Sequence, residues 1–270
     1  MNTDTIEPYL SGKKLYGDSF TGKDLEKWYE DEAEGYADLG AGDDSGYHYG
    51  YAELNRQHGF SRLFDHSFDH ALGLGSAYGY EFEELVGRVS KITIIEPSDK
   101  LVSEQIAGIR PSYVKPNVSG EIPFDDGTFD LVTSFGTLHH IANVSHVIDE
   151  LGRVAAPGGI LMLREPCVSL GDWRQPRRGL TKNERGIPRL LLLQMLDHAG
   201  WDLTYQSLCI FPLIPRLARF VGEPAYNNRL LTHFDQLLSN IFAWNLRYHP
   251  TNRFHKLRPQ SIFVMAKKRL

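Results

Sequence analysis

Cysteine is scarce in this sequence: Cys167 and Cys209 are the only two. They cannot build a disulfide framework and have no metal-ligand spacing. No apolar run approaches the roughly 18 to 20 residues needed to cross a bilayer. Excess positive charge is missing as well, since the net charge of −5 argues against a nucleic-acid partner. Met1 to Leu10 carry acids and no apolar signal core. Repeats and low-complexity tracts are absent. Together these absences predict a cytoplasmic protein with no membrane span. What is present is ordinary for a globular chain: 270 residues, 41% hydrophobic and 23% charged. That length supports one sizeable core plus an accessory layer.

The chain is organised around His70-Ala71-Leu72-Gly73-Leu74-Gly75-Ser76-Ala77-Tyr78-Gly79. An apolar strand runs into a glycine turn, and Glu81 to Val86 reads as the first turns of a helix. Such a turn brings backbone close to a ligand without side chains in the way. Lys91 to Glu96 is a second buried strand ending in a carboxylate. A carboxylate there can accept hydrogen bonds from both ribose hydroxyls of a nucleoside.

The spacing Gly73-x-Gly75-x-x-x-Gly79 differs from the dinucleotide pattern G-x-G-x-x-G. It resembles the first motif of class I S-adenosylmethionine-dependent methyltransferases. Three further stretches are similar to that family: Ile122 to Val132, Leu138-His139-His140-Ile141, and Leu151 to Leu163 with its Pro157-Gly158-Gly159 turn. Three places depart from it. Family members usually carry an acidic residue where Gly73 stands and a glycine where Ala77 stands. An acid often precedes the Ile-Pro-Phe segment, where this chain has Asn117-Val118-Ser119-Gly120.

The resemblance implies a Rossmann-like α/β fold with a seven-stranded, mostly parallel sheet whose seventh strand is antiparallel. Helical additions are expected at both ends: a cap over 1–64, then a methyltransferase domain over 65–270 with a helical insertion at about 212–259. S-adenosylmethionine is the cofactor it implies, with Gly73, Leu74, Gly75, Ser76 and Gly79 in the turn, Glu96, Pro97 and Ser98 on the adenosine side, and backbone near Phe135. An aromatic on the first long helix, Tyr36 or Tyr29, would close over the sulfonium, unless it only anchors that helix. A nicotinamide oxidoreductase and a catalytically silent S-adenosylmethionine-binding scaffold are the competing readings.

His139 and His140 follow the fourth strand, at the edge where such sheets bind ligands. The resemblance to sugar O-methyltransferases implies a histidine of this stretch acting on the acceptor hydroxyl. An imidazole titrating near pH 6.5 suits a general base. His140 is the expected base, His139 its substitute, and Glu165 would orient the imidazole. No metal is expected.

Beyond the fifth strand lies a basic segment, Gly171 to Arg189, with six basic residues against two acids. Guanidinium forks match carboxylate or phosphate. Trp173, Arg174, Arg177, Arg178 and Arg185 are therefore expected to grip a small or glycan-type anionic acceptor, or else to be a solvated loop. Leu230, Leu231, Phe234, Leu237, Leu238, Ile241 and Phe242 fall at helical spacing in the insertion. They would pack on the body of the protein, form a homodimer interface or cover the acceptor.

Overall fold

A computed structural model describes residues 6–39 and 49–270, without the side chains of 33–39. In chain order the helices are α1 (Glu7–Leu10), α2 (Lys23–Leu39), α3 (Ala52–His58), α4 (Val144–Val154), α5 (Arg189–His198), α6 (Ile214–Leu217) and α7 (Arg229–Ile241). The strands are β1 (Ala71–Leu74), β2 (Ile92–Ile95), β3 (Ser112–Val114), β4 (Phe129–Phe135), β5 (Ala155–Pro166), β6 (Trp201–Cys209) and β7 (Ser261–Lys268). They form one sheet in the order β3-β2-β1-β4-β5-β7-β6. β7 runs antiparallel between β5 and β6, and the pairings from β3 through β5 are parallel.

β1 and β2 are buried along their whole length. This is why both read as unbroken apolar runs and not as alternating ones: elements cover both faces of a parallel sheet. One layer of core holds Leu72, Leu74, Val132, Leu163 and Val264 under α4 and α5. The other holds Phe60, Phe82, Met162, Phe211 and Phe263 beneath α3 and the insertion.

Local details differ from what the sequence pattern alone implies. The helix after the glycine turn is a six-residue 3₁₀ segment, Tyr80–Leu85. Its side chains Phe82 and Leu85 are fully buried, and only a short link remains before β2. Asn143 occupies the N-cap position of α4, yet its amide donates to Ser119 O at 2.7 Å and does not cap the helix. In α7, Thr232, Asp235 and Ser239 face inward and Leu231, Leu238 and the following Phe242 pack against the core, while Leu230, Phe234, Leu237 and Ile241 are exposed. Asp235 sets this rotation, because its carboxylate accepts the N–H groups of Ile210 at 3.0 Å and Phe211 at 2.6 Å.

Candidate active site

At the carboxyl edge of the sheet, the tips of β1, β2 and β4 open onto one pocket. Gly75 has a φ of +65°, and a Cβ there would lie 2.3 Å from the Thr137 side chain. Glycine therefore lets the β1 tip lie directly against the β4 tip. Thr137 completes the joint, its hydroxyl donating to Leu74 O at 3.0 Å. At Gly73 a Cβ would strike Ser76 Oγ at 2.3 Å, so no larger residue fits the present turn.

Ala77 sits in left-handed backbone at φ +46°. Its N–H donates to Glu96 Oε2 at 3.0 Å, while Glu96 Oε1 accepts from Ser98 N at 3.0 Å. Burial foremost raises the Glu96 carboxyl above its ordinary value. Each Glu96 oxygen keeps a lone pair for a further donor.

Leu74, Gly75, Glu96 and Pro97 line the pocket beside Asn117, Val118 and Ile122. Trp28, Tyr29 and Glu32 of α2 form part of its wall, and Thr137 and His140 another part. Gly73, Ser76, Gly79, Ser98 and Phe135 are not among the lining residues. Tyr36 belongs to the part of α2 whose side chains lie outside the described residues; Tyr29 is the described α2 tyrosine at the wall.

The two histidines differ sharply in their partners. His139 Nδ1 hydrogen-bonds Glu165 Oε2 at 2.7 Å, and its Nε2 lies 3.6 Å from Glu184 Oε1. Burial would lower this imidazole, but the bonds and charges of Glu165 and Glu184 outweigh it and hold it up at about 9. His140 Nδ1 instead meets Glu32 Oε2 at 2.9 Å. Burial and the neighbouring His139 charge push it below its ordinary value, against the pull of Glu32. The ring centroids are 4.1 Å apart. At neutral pH the pair is thus one imidazolium and one neutral imidazole. Adjacent groups driven apart in this way divide acid and base roles between them.

Glu165 is fully buried and accepts from the backbone N–H of Thr137 and Leu138, both at 2.9 Å. It orients His139, not the expected base, and holds the 3₁₀ turn that carries both histidines. Glu32 is the residue that positions His140, and sequence reasoning missed it because its element lies more than a hundred residues upstream. Trp28 Nε1 adds a bond to His140 O at 2.7 Å. His139, His140 and Glu184 each offer an atom within 4.8 Å of the others, close enough to share a cation.

The basic segment corrects the acceptor expectation. Arg185 is buried, and its guanidinium donates to Tyr16 O, His139 O and Ala142 O at 2.8 to 2.9 Å. Arg177 donates to the carbonyls of Leu170, Thr181, Lys182 and Glu184. Arg174 pairs with Asp172 at 2.8 Å. Trp173 stacks on Tyr16 with centroids 4.4 Å apart. Arg178 is exposed. None of the five lines the pocket. What the segment contributes to the site is Glu184 beside His139, together with Thr181 and Asn183, which donate to Glu32 at 2.6 and 2.9 Å.

A different arginine stands at the sheet edge. Arg164, 5% exposed at the end of β5, lies 3.8 Å beneath the Tyr51 ring. Its Nη1 has no hydrogen-bond partner, and it makes no ion pair among the described residues. A Cβ added at Gly136 would lie 3.7 Å from His139 Cε1 and 3.9 Å from Arg164 Nη2, which places the guanidinium beside the histidine turn. The charge that faces the guanidinium is the buried Glu81 carboxyl, which burial pushes up to about 7 against the pull of Arg164. The signal available in the sequence was an Arg-Glu pair closing a strand, whose side chains leave the sheet on opposite faces before the guanidinium reaches the Gly136 turn.

This arrangement defines a nucleoside-binding α/β protein with a paired-histidine turn at the ligand edge. A family model described as a methyltransferase domain matches residues 72–163. The demethylmenaquinone methyltransferase of Roseiflexus castenholzii is 25% identical over 169 residues, covering 58% of this chain and 68% of that protein. A ubiquinone/menaquinone biosynthesis C-methyltransferase of Xylella fastidiosa is 26% identical over 159 residues, covering 58% of this chain and 61% of that one. Among solved structures, a methyltransferase from Bacillus halodurans superposes with a TM-score of 0.51 at 18% identity, covering 78% of this chain and 99% of that chain. The chain carries a methyltransferase domain, its fold is that of class I S-adenosylmethionine-dependent methyltransferases, and S-adenosylmethionine is its cofactor. The glycine turn, the Glu96 tip and the apolar wall at Val118 and Ile122 fit that molecule.

Proposed function

We propose that the enzyme methylates a hydroxyl of a small anionic acceptor, most simply an anionic sugar, with His140 as general base. The observation that carries this reading is the His140 ring at the pocket wall, its Nδ1 held 2.9 Å from Glu32 Oε2 and its ring 4.1 Å from that of His139. Bound S-adenosylmethionine supplies an electrophilic methyl group. Leu74, Gly75, Glu96, Pro97 and Tyr29 would hold it, and Ala77 and Ser98 fix Glu96 for that task. His140 accepts the proton that the acceptor hydroxyl must lose. The His139 cation favours the oxyanion as charge develops, and Glu165 and Glu184 keep that cation in place. Arg164, whose buried Nη1 has no hydrogen-bond partner beside the histidine turn, is the anchor for the acceptor's anionic group.

A second reading follows from the relatives, two of which are named for quinone methylation. There the same base would ionise a ring hydroxyl, and the methyl would go to carbon. Incubation with ¹³C-methyl donor and anion-exchange fractions of a metabolite extract distinguishes the two, because carbon shifts separate O-methyl from C-methyl products. An O-methyl product in an anionic fraction, formed by wild type and reduced about 10² to 10⁴-fold in His140→Gln, supports the first reading. A C-methyl product, or full turnover in His140→Gln, rejects it.

A further inference from the structure

The 212–259 insertion carries an outward apolar surface that the active site does not use. On α7, Leu230, Phe234, Leu237 and Ile241 form one stripe at helical spacing, and all are exposed. The stripe cannot turn inward while Asp235, on the opposite side, accepts the N–H groups of Ile210 and Phe211. α6 packs beside α7 and is followed by Phe220, which is 88% exposed. Leu230 is 79% exposed and Trp244 67%. Side chains this prominent stand out from the surface and do not line a groove. A monomer seldom leaves so large an apolar patch to water without a use for it.

The charge around this patch selects the occupant. Arg216, Arg219, Arg229, Arg247, Arg253 and Lys256 are exposed in the insertion, and Glu223 is its only exposed acid. The chain as a whole is at −5, so the positive charge is concentrated here. A twofold dimer through this face would set the same patch against itself and bring like charges together. An anionic lipid surface neutralises the cations and accepts protruding apolar side chains in a phase that deforms around them. Leucine, phenylalanine and tryptophan flanked by arginine and lysine form the pattern of in-plane membrane association. We propose that this face of the insertion seats the enzyme on an anionic phospholipid surface, as a peripheral protein without a membrane span.

The test is cosedimentation of the full chain with vesicles of phosphatidylcholine alone or with about 30% phosphatidylglycerol, an anionic fraction that gives the cations a target. Binding to the anionic vesicles only, weakened by salt, is expected. Each cation removed should weaken it about fivefold, so Arg216→Gln with Arg219→Gln should lose about 25-fold. Leu230→Ser with Leu237→Ser should abolish retention while calorimetric binding of S-adenosylmethionine persists, which excludes misfolding. Tryptophan emission should shift blue on the anionic vesicles in wild type and not in Trp244→Phe. The proposal is overturned by no vesicle binding, by equal binding to both vesicle types, or by variants that bind as wild type does. A dimer in sedimentation velocity, dissociated by the leucine substitutions in a protein that ignores vesicles, overturns it in favour of self-association.

Discussion

Arg164 and Ala77 each stand in a place that their residue type makes expensive, and both lead to predictions. Replacing Arg164 by Met keeps the packing under Tyr51 and removes the cation. If it anchors the acceptor, KM for an anionic acceptor should rise on the order of 10- to 100-fold, the worth of a hydrogen bond to a charged group, with donor affinity unchanged. An unchanged KM removes Arg164 from acceptor binding. Ala77 occupies φ +46°, the left-handed region that favours glycine. Ala77→Gly should relieve about 0.5 to 1 kcal/mol net, after the entropy that glycine adds to the unfolded chain. For a chain of this size the melting temperature should rise by about one to four degrees. A lower melting temperature would show that the methyl group's packing outweighs the strain.

At the scale of elements, the basic segment between β5 and α5 is the instructive case. Its composition suggested a surface that grips anions; Arg177 and Arg185 instead bind main-chain carbonyls, and Arg185 ties the loop to Tyr16 of the N-terminal arm. Arg177→Ala leaves four carbonyls of one loop without their donor. It should cost roughly 1 to 3 kcal/mol of stability. Added salt should not reproduce that loss, because these are short hydrogen bonds and not a diffuse field. A variant as stable as wild type would return the arginine to solvent. The strands, the glycine turn and the histidine turn were legible in the sequence because their signals are local: unbroken apolar runs, left-handed glycines and a histidine pair after a strand. The rotation of α7, which leaves half of its apolar residues outside, and the Glu32–His140 pair were not. Each depends on a contact between distant segments, Asp235 with the turn after β6 and α2 with the turn after β4, and helical periodicity cannot say which stripe faces inward.

For the whole molecule, the sheet delivers two adjacent histidines to one turn, of which His140 lines the pocket, and then divides them by their neighbours. The pH dependence of stability carries the sign of that division. The His139 pKa is raised from 6.5 to about 9 in the folded protein. Its contribution, roughly 3 kcal/mol for that shift, is fully present below pH 6.5 and is lost as pH rises through 9. The unfolding free energy of wild type should therefore fall across this window more steeply than that of His139→Gln. Equal slopes would place the His139 proton elsewhere. Activity should hold from somewhat below pH 6.5, because His140 stays neutral there, up to the alkaline limb near 9 where the His139 cation discharges. A chelator should leave it unaffected if protons, and not a metal ion, hold His139, His140 and Glu184 together.

The division of the pair can be read without knowing the acceptor. An NMR titration of the ¹⁵N-labelled imidazoles, assigned with His139→Gln and His140→Gln, follows both histidines through pH 5 to 10, a window that spans the ordinary imidazole value. One resonance titrating near 9 and lost in His139→Gln, with the other below 6.5 and lost in His140→Gln, is the predicted result. Two histidines titrating together near 6.5 would contradict it and leave the pocket without its base and its cation.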